Sequence, residues 1–154
     1  MFRNILGAVV GYVVMAALAI LAISLTWFGL GAEFAFKDST LEASAGWSSI
    51  MLVSGLVAAV IGGLTANAIG RPGTSSAKIL IGIVLVLGAV SAFMQLGTEV
   101  MDLPPGTSVS DLAFSEAGQY ARSPLWYTVL IPLVGAFGVW LGGLRGRADP
   151  ASQL

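Results

Sequence analysis

Four stretches of this 154-residue chain carry no charged side chain: residues 4–32, 43–70, 79–98 and 123–144. The hydrocarbon core of a bilayer, about 30 Å thick, needs roughly 20 helical residues at 1.5 Å each. Each stretch is long enough, the third only just. Their interiors are Ile, Val, Leu, Ala and Gly without polar alternation, so the short alternating strands of a membrane β-barrel do not fit. The expected fold is all-α. It is a polytopic membrane protein with one domain, 1–154, and four transmembrane helices in a compact bundle at about 5–30, 43–69, 79–98 and 124–144.

Composition agrees. Hydrophobic residues make up 56% of the chain and charged ones 10%, against about 25% charged in an average soluble domain. A 15.8 kDa globule has too little interior to hide so much apolar side chain. Seven Lys+Arg against eight Asp+Glu leave no basic face for nucleic acid. Without Cys or His there is no thiolate chemistry, no disulfide and no imidazole ligand for a metal. No nucleophile elbow, phosphate loop, zinc-protease motif or dinucleotide fingerprint occurs. No ionisable group sits at mid-membrane depth, where small proton-coupled pumps keep their working carboxylate. The expectation is a protein with no cofactor, no metal and no catalytic site.

The basic residues set an orientation. Arg3, Arg71, Lys78, Arg145 and Arg147 fall on one side, and only Lys37 and Arg122 on the other. That asymmetry puts both termini in the cytoplasm, with external loops at 31–42 and 99–123. Trp27, Trp47 and Trp126 then lie at the outer boundary, where amphipathic rings favour the headgroup zone. The first window is nearly twice a signal h-region of about 7–15 residues, so it is read as a retained helix. Cleavage near Ala32 would leave a three-helix topology equally consistent with the charges. In the external segments, Ser39 to Glu42 fits a capping box from which the second helix would start. Residues 109–117 read as a short surface helix between the third and fourth helices, ended by Gly118.

Lipid is as apolar as Leu, so membrane helices associate through small residues that allow close approach. Gly7 and Gly11 mark such a face on the first helix. Gly55, Ala59 and Gly63 form one row on the second, and Gly62, Ala66 and Gly70 another; Gly138 and Gly142 serve the fourth. Two rows on the second helix suggest two neighbours. Pro132 removes a backbone donor and crowds the carbonyl of Thr128, so a kink is expected there.

Ser91, Gln95, Thr98, Glu99 and Asp102 share one face of the third helix towards its outer end. Ser24, Thr26, Ser48, Ser49, Ser54, Tyr127 and Thr128 lie at similar depth. Two readings fit: a polar vestibule anchored by Gln95 and Glu99, or hydrogen bonds between helices with the carboxylates ending the helix in water.

Several pieces, in order, resemble a loose group of small bacterial inner-membrane proteins. They are Gly11 to Met15; Phe36 to Glu42 with Ser44 and Trp47; Gly55, Ala58, Ala59, Gly62 and Gly63; Glu116 and Ala117; Pro124 to Trp126; and Pro132, Gly135, Gly138, Val139, Gly142 and Gly143. The resemblance implies the four-helix arrangement and an inner-membrane address. It also implies one external surface shared by Glu42, Glu116 and Trp126, and it brings no activity or substrate. The expected function is therefore structural or accessory, with the lipid bilayer and a homo-oligomer or membrane-protein complex as partners. A small transporter or channel using the vestibule is the alternative.

Overall fold

The computed structural model describes residues 2–37, 41–70, 75–97, 107–109 and 112–143. These form α1 (Phe2–Ala35), α2 (Ala45–Ile69), α3 (Ser75–Gly97), α4 (Phe114–Tyr120) and α5 (Leu125–Gly143). Among the described residues there is no strand, only two isolated bridges. All but α4 are long and apolar enough to cross a membrane.

The helices meet through small residues. α2 packs against α1 on one side and α5 on the other, while α3 packs against α5 and α1. A side chain as small as a methyl has no room along these seams. A Cβ on Gly7 would stand 2.6 Å from the Ala66 carbonyl oxygen, and one on Gly11 2.6 Å from that of Gly62. Across the other α2 seam, a Cβ on Gly63 would lie 2.6 Å from the Val139 oxygen. One on Gly138 would lie 2.7 Å from the Ala59 Cβ, and one on Gly142 would collide with the Val60 carbonyl. Ala66 and Ala59 are fully buried, and Gly70 is closed in by Ser76. Gly55 differs: nothing lies within 4 Å of its Cβ position, so it belongs to no close contact. The core is accordingly built of small side chains, Ala8, Ala59, Ala66 and Ala77 with Leu80, Val84 and Val139. The large apolar residues face outward, as a lipid solvent permits.

α1 is not one continuous helix. Gly31 has φ 77° and ψ 174°, a combination essentially restricted to glycine. The chain turns there, and residues 32–35 make one further turn before the junction with α2. Ser44 closes that junction. Its hydroxyl donates to the Phe34 carbonyl (2.6 Å) and accepts from the Trp47 amide (3.0 Å), so one side chain ends α1 and caps α2. This replaces the capping box expected at Ser39 to Glu42. Leu41 to Ala43 are not helical: Glu42 and Ala43 form isolated bridges, with Lys37 N–H on Glu42 C=O and Ala43 N–H on Arg122 C=O; Ser39 and Thr40 lie outside the described residues. The surface helix also shifts. It covers Phe114–Tyr120 rather than 109–117, because the Glu116 carboxylate takes the free Ala113 N–H at 3.4 Å. Gly118 lies inside it, not at its end. α5 is helical through Pro132, whose ring sits against Gly88 of α3.

Two substitutions test this packing. Gly142→Ala drives a methyl into backbone and should destabilise by about 1–3 kcal/mol, whereas Gly55→Ala should be neutral or gain up to ~1 kcal/mol of helix propensity. Reversible unfolding in mixed detergent micelles measures both. Gly31→Ala should cost about 1–3 kcal/mol in the same assay through backbone conformation alone, since a Cβ there meets nothing within 4 Å.

Candidate functional site

Polar side chains within an apolar helix need partners, and several find them on their own helix. Thr26 Oγ1 donates to Ala22 C=O (2.7 Å), Ser49 Oγ to Ala45 C=O (2.8 Å) and Thr65 Oγ1 to Ile61 C=O (2.8 Å). Those hydroxyls are thereby satisfied within the turn. Ser48 is buried, and its hydroxyl has no partner among the described residues.

The end of α3 and the start of α5 behave differently. Gly88, Ser91, Ala92 and Gln95 of α3 face Ser123, Tyr127, Thr128 and Ile131 across a cleft of about 230 Å³. The glycine sets the approach: Gly88 rests on Pro132, and the helices diverge enough beyond it to leave space. Pro124 precedes the first turn of α5, and its carbonyl accepts from Tyr127 N–H (3.0 Å) and Thr128 N–H (3.1 Å). That turn aims Tyr127 and Thr128 into the cleft. Thr128 is 8% exposed, and its hydroxyl lies 3.4 Å from both Gln95 Oε1 and Pro124 C=O. One proton cannot serve both acceptors at once. The hydroxyl thus links the helices or back-bonds its own turn, and leaves the carbonyl released by Pro132 untouched.

Of the polar face read from the sequence, the structure brings Ser91 and Gln95 together with Tyr127 and Thr128. Thr98, Glu99 and Asp102 lie outside the described residues. None of Ser24, Thr26, Ser48, Ser49 or Ser54 lines the cleft. Ser123 lines it without having been singled out; its only signal was the Ser-Pro step that starts α5. The cleft contains hydroxyls and an amide and no charged side chain among its described residues. It can exchange hydrogen bonds with a neutral polar molecule but offers no group for proton transfer near neutral pH. No group of three or more acidic ligands able to hold a metal occurs among the described residues.

A second cavity, of about 200 Å³, lies at the α1–α2 junction beneath α4. Trp27, Phe36, Trp47 and Phe114 line it, with small residues between them. The sequence placed Trp27 and Trp47 at one boundary but could not show that α4 crosses over them. Glu42 reaches the same region through the backbone bridge to Arg122, and Glu116 through the start of α4. Comparison with protein-family models, with curated proteins and with solved structures gives no match for this chain.

Proposed function

We propose that this chain is a structural or accessory protein of a bacterial inner membrane, without catalytic activity of its own. Both termini lie in the cytoplasm, and it acts through helix–helix contacts as an oligomer or as a subunit of a larger membrane complex. The observation that carries this reading is the outward side of α3. Ser76, Ala77, Leu80 and Val84 are buried, and beside them runs a shallow apolar groove along Ile79, Gly82, Ile83, Val86 and Leu87, in which Ile83 also packs against the core. A Cβ on Gly82 would meet nothing within 4 Å. A glycine on an open helical face leaves room for a further helix to approach closely. The five-to-two split of basic residues supports the orientation.

Native mass measurement after mild detergent extraction should therefore find a multimer or a stoichiometric complex. Gly82→Leu, which fills the groove, should shift it to monomer without unfolding it. A strictly monomeric protein that co-purifies with nothing would overturn the reading.

The α3–α5 cleft favours a second reading, a vestibule for a small neutral solute. Ser91, Gln95, Ser123, Tyr127 and Thr128 bring four hydroxyls and an amide to one cleft, where the Gln95 carbonyl oxygen accepts from the Thr128 hydroxyl. In an apolar setting such groups take up water or a ligand. If a solute is bound or carried there, Gln95→Leu should reduce ligand-induced stabilisation or flux by about tenfold, the weight of one hydrogen bond. Unchanged values in both assays would remove this reading.

A further inference from the structure

Taking the α3–α5 cleft as the vestibule described above, we propose that its ligand is a neutral lipid such as diacylglycerol. The uncharged, hydroxyl-bearing head enters sideways from the bilayer, and the acyl chains stay in it. Four hydroxyls and one carboxamide meet in about 230 Å³. A cavity of about 150 Å³ takes one benzene ring, so a head of roughly six to nine heavy atoms fits, the size of a glycerol unit.

Depth favours a lipid over a free solute. α5 has 19 residues and is therefore about 28 Å long, close to the ~30 Å of a hydrocarbon core, so its first turn stands at the boundary of that core. Thr128 is three residues into α5, and Gln95 two residues from the end of α3. Both lie where glycerol and ester groups give way to acyl chains. The cleft is also open at its side, since Ser91, Gln95 and Ser123 are all exposed. Polar groups facing hydrocarbon are costly unless something polar meets them. Thr128 is buried and donates to Gln95 Oε1, which ties the carboxamide to the cleft wall.

Charge and shape narrow the choice of lipid. No charged side chain lines the cleft among its described residues, so a phosphate there would have no counter-charge in a setting of low dielectric. Hydroxyls and an amide both donate and accept, which suits the hydroxyl and ester oxygens of a diacylglycerol. Towards the bilayer centre the lining changes to Ile131, 38% exposed. On α3, one turn below Ser91 on the same face, stands Leu87, 44% exposed. A chain leaving the cleft thus meets an apolar wall on each helix. Gln95 to Leu87 is about 12 Å along the axis, within the ~15 Å of one leaflet's hydrocarbon. A free polyol would make no use of those two walls.

The test is thermal unfolding of the full chain in phosphatidylcholine nanodiscs, whose headgroups carry no hydroxyl. The probes are dioctanoylglycerol, dioctanoyl phosphatidic acid and glycerol. Saturable stabilisation by dioctanoylglycerol alone is expected. Gln95→Leu should weaken its apparent affinity about tenfold and Ser123→Ala about threefold, each through one hydrogen bond. Should Gln95→Leu not fold, Ser123→Ala at the exposed edge decides alone. An equal response to the phosphatidic acid, or a dioctanoylglycerol response that neither variant weakens, would overturn the assignment. A glycerol response weakened by Gln95→Leu, with none to dioctanoylglycerol, would overturn the lipid and leave the vestibule for a free solute standing. No response that depends on Gln95 or Ser123 with any probe would remove both.

Discussion

Contact between backbones, rather than between side chains, holds these helices together. A buried Leu gains little over lipid by meeting another Leu, whereas two helices that approach until their backbones touch gain dispersion contacts along the whole seam. α2 does this twice. Gly62, Ala66 and Gly70 admit α1 at Gly7 and Gly11, and Ala59 and Gly63 admit α5 at Gly138 and Gly142. The two rows point to different sides because residues 62 and 63 are about 100° apart on a helix. α2 can therefore be the shared neighbour, and α3 is left to close against α5 and α1. The smallness of the core follows: among the described residues the largest side chains under 2% exposure are Leu80 and Val139, followed by Ser48 and Ser76.

This dependence explains which features could be read from the sequence. Charge-free windows of helical length gave the four long helices, since the cost of a charge in lipid does not depend on how the helices are arranged. Small residues four apart marked the α2 seams for the same reason of spacing. Gly55 carried the same pattern and makes no close contact, because spacing defines a face but not how far along that face the neighbouring helix follows. The start of α2 was misplaced for a different reason. Ser39 to Glu42 and Ser44 both satisfy local capping chemistry, and the choice is made by a tertiary bond from Ser44 to Phe34 that no local pattern contains.

The cleft shows the same limit. Ser91 and Gln95 were legible as one helical face, and Tyr127 and Thr128 as residues of matching depth. Depth alone also admitted five hydroxyl residues of α1 and α2 that do not line the cleft. Which helix faces which is set by the seams, and the pairing of Gly88 with Pro132 is what turns the polar face of α3 towards α5.

The seams also account for where the cavities lie. The glycines that could not accept a Cβ because of opposing backbone lie at positions 7, 11, 62, 63, 138 and 142. All are in the half of the assembly that holds the start of α1, the end of α2 and the end of α5. Towards the α1–α2 junction that row stops: Gly29, Gly31, Gly55 and Gly118 have no neighbour within 4 Å of a Cβ. The other half, at the α1–α2 junction, contains the polar cleft at Gln95 and Thr128 and the aromatic cavity at Trp27 and Trp47. Helices pinned at one end by backbone contact cannot also close at the other unless small residues continue along the seam. Here the sequence changes to Trp, Phe, Tyr, Gln and Thr instead, side chains that hold helices apart and line the space so made. The division of small residues from large ones along each helix thus separates a tightly closed end from one with room for other molecules.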